Sequence, residues 1–76
     1  MEKLTLYYMP SCPYCQRVLQ FMENRGINIE LRDTCQPEHK AYLLENGKKA
    51  QVPCLFIDDQ PLFESSDIIS YLGKRF

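Results

Sequence analysis

Apolar and polar positions change their period several times along the 76 residues. Leu4-Thr5-Leu6-Tyr7-Tyr8 is apolar or aromatic at most positions, which predicts a strand buried on both faces. From Pro13 to about Arg25 the period turns helical. Val18, Leu19 and Met22 share one face with Phe21 at its edge, and Gln16, Arg17, Gln20 and Glu23 cover the other. Gly26 is suited to close that helix in a left-handed conformation. Residues 27–32 alternate, as a strand with one wet face does. Asp33 and Thr34 open a loop that carries Cys35. Residues 37–46 predict a second helix, ended by Gly47, with Ala41, Leu43 and Leu44 on its apolar face and Tyr42 beside them. Cys54-Leu55-Phe56-Ile57 predicts a short strand, 58–61 a turn, and Leu62-Phe63 the return of a hairpin. Ser65 or Ser66 is expected to cap a last helix running through Leu72, with Ile68, Ile69, Leu72 and Phe76 lining its buried face.

The predicted order is β-α-β-α-β-β-α, an α/β fold. The first two strands, joined through a helix, should lie parallel with a right-handed crossover. The hairpin adds antiparallel strands. The expected product is a mixed four-stranded sheet with helices on both faces, in one domain spanning 1–76. A chain this short buries only about 60% of its unfolded surface, so the core is small.

Composition narrows the function classes. Hydrophobic residues make up 45% and charged residues 25%, as in a folded domain. The net charge of −1 gives no nucleic-acid footprint. No apolar run approaches the roughly 20 residues that span a bilayer, so no membrane partner is expected. Met1-Glu2-Lys3 leads into a run too short for a secretory leader, and a cytoplasmic location is the expectation. In that compartment four cysteines imply reactive or metal-binding thiols rather than a disulfide framework.

Cys12-Pro13-Tyr14-Cys15 is where chemistry concentrates. A thiol at the first turn of a helix meets unpaired N–H groups and the positive end of the dipole. Both favour the thiolate, the nucleophilic form. Pro13 suits the first helical position, where no N–H is needed. Cys15 follows one turn later, close enough to attack a disulfide formed at Cys12. Strand, then C-x-x-C, then helix is a redox context. The alternative is a zinc pair, but Cys35, Cys54 and His39 form no second C-x-x-C, and no metal is expected. Cys54 opens an apolar strand and reads as a buried small hydrophobe. Cys35 lies in a polar loop, with an incidental and a regulatory role both open.

Three motifs together resemble the glutaredoxin family, and behind it the thioredoxin fold. They are Cys12-Pro13-Tyr14-Cys15, Gln51-Val52-Pro53 in place of the family's Thr-Val-Pro, and Glu64-Ser65-Ser66-Asp67 opening the last helix. The resemblance implies that Pro53 is cis and faces Cys12. It implies glutathione as partner and reducing co-substrate, its cysteinyl backbone paired with Val52. Ser66 and Asp67 match the positions that take the γ-glutamyl end, and Tyr14 is a further expected contact. The implied activity is glutathione-dependent thiol–disulfide exchange, with Cys12 as nucleophile and Cys15 as resolving thiol. Its partners would be disulfide-containing or glutathionylated proteins, and a monomer is expected. Two departures stand out. Met9-Pro10-Ser11 offers no lysine before Cys12, and Glu64-Ser65 replaces a frequent Gly-Gly, in the manner of glutathione transferase N-terminal domains. Two alternatives are a redoxin fed by thioredoxin reductase and a glutathione-ligated iron–sulfur cluster carrier.

Overall fold

The computed structural model describes residues 3–76 and contains the seven expected elements in the expected order. They are β1 (Leu4–Tyr8), α1 (Pro13–Arg25), β2 (Glu30–Asp33), α2 (Pro37–Gly47), β3 (Cys54–Ile57), β4 (Gln60–Phe63) and α3 (Ser65–Arg75). The sheet order is β2-β1-β3-β4, with β1 parallel to β2 and antiparallel to β3, and β3 antiparallel to β4.

Alternation along the two central strands divides the core. Leu4 and Leu6 of β1 and Leu55 of β3 meet Val18 and Met22 of α1 and Ile68 and Leu72 of α3. On the opposite face Tyr7, Cys54 and Phe56 meet Leu43 of α2. The two-sided burial expected of β1 follows from its place inside the sheet: Leu4, Thr5, Leu6 and Tyr7 are all buried.

The first helix ends as its glycine requires. Gly26 has φ 65°, and the N–H groups of Gly26 and Ile27 donate to the carbonyls of Glu23 and Met22. This is the paired closure that a left-handed residue permits. It also uses up Ile27, so the second strand begins at Glu30 and not at 27. β2 lies at the sheet edge, and Leu31 is 45% exposed there.

The second helix is rotated from the expected face. Leu43 and Gly47, four residues apart, are its buried positions, while Leu44 is exposed. Tyr42 stacks on Tyr7 with ring centroids 5.6 Å apart, which turns Leu44 outward. Gly47 is the last helical residue, and the left-handed residue after it is Lys48 at φ 69°. A Cβ on Gly47 would come 3.3 Å from Leu43 Cδ1 and from Phe63 Cζ, so close approach is what needs glycine here. At the other edge β4 begins at Gln60. Pro61 is accepted within it because an edge strand leaves one side unpaired. The last helix reaches Arg75, and Phe76 is 59% exposed rather than part of the core.

Candidate active site

Cys12 is the N-cap of α1, in extended conformation, with Pro13 directly after it. Its N–H donates to the Met9 carbonyl at 3.0 Å, and its carbonyl accepts from the Gln16 N–H at 3.0 Å. The half-buried thiol is thus carried on a braced turn between β1 and α1. Cys15, one turn on, is fully buried, and its Sγ accepts from the Met9 N–H at 3.5 Å.

The two thiols are driven apart. Burial works against the Cys12 thiolate, but donation from the Cys15 and Tyr14 backbone N–H groups and the Cys15 thiol outweighs it. Cys12 therefore titrates below an ordinary thiol. Met9-Pro10-Ser11 adds no charge to those donors. Burial pushes Cys15 up to about 12, against the Met9 N–H and with help from the neighbouring Cys12. Burial also pushes Cys54 up to about 12, although the Leu62 N–H and Lys49 oppose it. Cys35 is exposed, yet its thiol donates to the Asp33 carboxylate, which raises its pKa further by charge. The free choice at Cys35 is thereby narrowed: its surroundings deactivate it.

Val52–Pro53 is a cis peptide bond. A groove of about 540 Å³ lies beside it, lined by Tyr14, Arg17, Gln51, Val52, Pro53, Glu64, Ser65 and Ser66. Four of the expected contact residues, Tyr14, Val52, Pro53 and Ser66, thus share one wall-to-wall space. Asp67 is exposed in the first turn of α3, one residue beyond that lining. The N-cap of α3 is Glu64, not Ser65 or Ser66, and its side chain makes no capping hydrogen bond among the described residues, so it leaves the first N–H groups of the helix available.

Arg17, Gln51, Glu64 and Ser65 are groove residues that sequence reasoning did not assign to it. Arg17 carried a usable signal: it follows Tyr14 by three positions and so shares its helix face. Glu64 also carried one: it stands where the resembled family often has glycine, and its φ of 74° lies in the left-handed region that glycine enters freely.

A four-stranded mixed sheet, a dithiol at the head of the first helix and a cis-proline before the third strand define the thioredoxin fold. The chain belongs to the family described as Glutathione S-transferase, N-terminal domain, which matches residues 6–76. Among curated proteins it is 26% identical over 73 residues to Glutaredoxin 1 of Rickettsia typhi, covering 92% of this chain and 70% of that one. Among solved structures, the glutathione transferase Omega 2C of Trametes versicolor superposes with a TM-score of 0.80 at 21% identity. The match covers all of this chain and 39% of the transferase. The glutaredoxin of Brucella melitensis superposes with a TM-score of 0.67 at 24% identity, covering 97% of this chain and 82% of that one. The chain thus spans little more than a third of the transferase and most of each glutaredoxin.

Proposed function

We propose that this domain is a glutathione-dependent thiol–disulfide oxidoreductase acting on protein disulfides and glutathione mixed disulfides. The observation that carries the reading is the placement of two thiols one turn apart at the head of α1: Cys12 half-buried at the N-cap, its pKa lowered by the donors around it, and Cys15 fully buried behind it with its pKa raised by burial. Cys12 attacks one sulfur of a substrate disulfide. A new S–S bond forms at Cys12, the substrate bond breaks, and the departing thiolate takes up a proton. Cys15 then gives up its proton and attacks Cys12, releasing the second substrate thiol. Where the mixed disulfide carries glutathione, a second glutathione does this instead. Two molecules of reduced glutathione return the Cys12–Cys15 disulfide to the dithiol and leave as glutathione disulfide.

The groove supports glutathione as the reductant. Its volume lies in the range of small-ligand sites. Proline at 53 has no donor and Val52 lies in the loop before β3, outside the sheet ladder, so an extended peptide can pair with Val52. The uncapped first turn of α3, with Ser66, suits the γ-glutamyl carboxylate. Asp67 follows Ser66 on the same exposed turn, and the reading gives its carboxylate the amino group. The names of the relatives point the same way. The reading takes the protein to be a cytoplasmic monomer.

Asp67→Ala tests the assignment. Losing a hydrogen bond to a charged group costs about 1.5–3 kcal/mol, roughly a tenfold or greater rise in KM for glutathione. Turnover with dithiothreitol should stay near that of the parent. A folded Asp67→Ala protein with unchanged glutathione dependence would favour thioredoxin reductase as the electron source.

A further inference from the structure

Helix α2 covers only part of its sheet face. Leu43 packs on Tyr7, Cys54 and Phe56. Thr5, two positions before Tyr7 and on the same face, lies past that cover. A cavity of about 240 Å³ opens over it. Thr5, Tyr7 and Phe56 form its floor, each no more than 7% exposed. Tyr42 forms a side wall, stacked on Tyr7 and set edge-on to Phe56 with ring centroids 5.7 Å apart. The rim carries Lys3 just before β1, Arg32 on β2, and Asp58 and Asp59 in the turn between β3 and β4. Lys3 and Cys12 flank opposite ends of β1, a strand of five residues and so roughly 17 Å long.

Two of the rim charges are already answered. Arg32 donates from Nε to the Glu30 carboxylate at 2.6 Å, and the Asp58 carboxylate accepts from the Lys3 backbone N–H at 2.9 Å. Among the described residues the Lys3 ammonium and the Asp59 carboxylate have no such partner. The Asp58 N–H donates to the Lys3 carbonyl at 2.8 Å, which holds these two strand ends side by side. One cation and one anion therefore stand on neighbouring strand ends, whose spacing is roughly 5 Å. A simple ion of either sign would satisfy one of them and be repelled by the other. An α-amino acid answers both, because its carboxylate and ammonium sit on adjacent atoms.

We propose that this cavity is a second ligand site, for a free α-amino acid with an apolar side chain. The carboxylate goes to Lys3 and the ammonium to Asp59. The side chain enters against Phe56 and covers Tyr42, which is 40% exposed. The size fits a single residue: the cavity is smaller than the roughly 300–1,000 Å³ of sites for drug-sized ligands, and less than half the groove beside Val52. Burial of the side chain supplies the affinity, and the two rim pairs supply the selection.

The test is an amide NMR titration of the full chain with L-leucine and two analogues: isocaproate, which lacks the ammonium, and isoamylamine, which lacks the carboxylate. Leucine is expected to shift the Thr5, Phe56 and Asp59 amide signals saturably, and each analogue to bind about three- to tenfold more weakly. Asp59→Asn keeps a residue suited to the turn and should weaken leucine by the same factor, while isocaproate is not weakened. Equal binding of leucine and both analogues overturns the proposal, as does a response that stays linear up to the solubility limit of leucine. Leucine shifts at Tyr14, Val52 and Ser66 in place of Thr5 and Phe56 would put the amino acid in the groove and overturn it as well.

Discussion

Cys12→Ser is expected to reduce disulfide-reductase activity to background, on protein disulfides and glutathione mixed disulfides alike. A serine hydroxyl is not ionised at neutral pH and cannot replace the thiolate that the α1 N–H groups stabilise. Cys15→Ser should behave differently. Glutathione can resolve the Cys12 mixed disulfide in place of Cys15, so turnover of glutathione mixed disulfides should keep its order of magnitude. A serine at 15 also retains a hydroxyl that can donate to the Cys12 sulfur, where the Cys15 thiol donates now. Mass spectrometry of oxidised Cys15→Ser should find one glutathione, on Cys12. Equal loss of activity on glutathione mixed disulfides in both variants would contradict the division of roles.

The order of thiol reactivity is the second large effect. In fully reduced protein at pH 6 to 7, iodoacetamide should label Cys12 first and leave Cys15 and Cys54 nearly untouched. A thiol at pKa about 12 is thiolate in only about one molecule in 10⁵ at pH 7, against about 3% for an ordinary thiol. Cys12, below the ordinary value, exceeds both, so its rate should lead by more than about a thousandfold. The sign with pH follows. Labelling of Cys12 should climb as pH rises toward its lowered pKa and level off above it. Labelling of Cys15, Cys54 and Cys35 should gain only at alkaline pH, because each is raised. Peptide mapping after a short exposure reads the order. Cys35 is the sharpest control, since it is exposed and it is chiefly the Asp33 carboxylate that holds it back. Labelling of Cys35 or Cys54 before Cys12 would contradict activation at the head of α1.

The sheet and most element boundaries were legible because they depend on local chemistry. The double-sided apolar run at 4–8 could only be an interior strand, and Gly26 marked the end of α1 through its own backbone freedom. The face of α2 was not legible. Leu43 and Leu44 are adjacent in sequence, and the stack of Tyr42 on Tyr7, a contact from another element, chose between them. Gly47 looked like a cap and serves instead as a point of close approach to Phe63. The dithiol was plain from spacing and context. The cis bond before Cys54 and the contact residues Val52, Pro53, Ser66 and Asp67 came through resemblance. The groove wall formed by Arg17, Gln51, Glu64 and Ser65 depends on the meeting of α1, the loop before β3 and the head of α3. Glu64 was only half legible: its standing in for a frequent glycine pointed to an unusual backbone, but no propensity places a glutamate at positive φ.

The most direct test of the central claim is steady-state turnover of the wild-type protein on a glutathione mixed disulfide, with glutathione as the varied reductant and glutathione reductase as the coupling enzyme. The account predicts turnover that saturates in glutathione and vanishes when Cys12 is alkylated at pH 6. Turnover driven by thioredoxin reductase and indifferent to glutathione would contradict it.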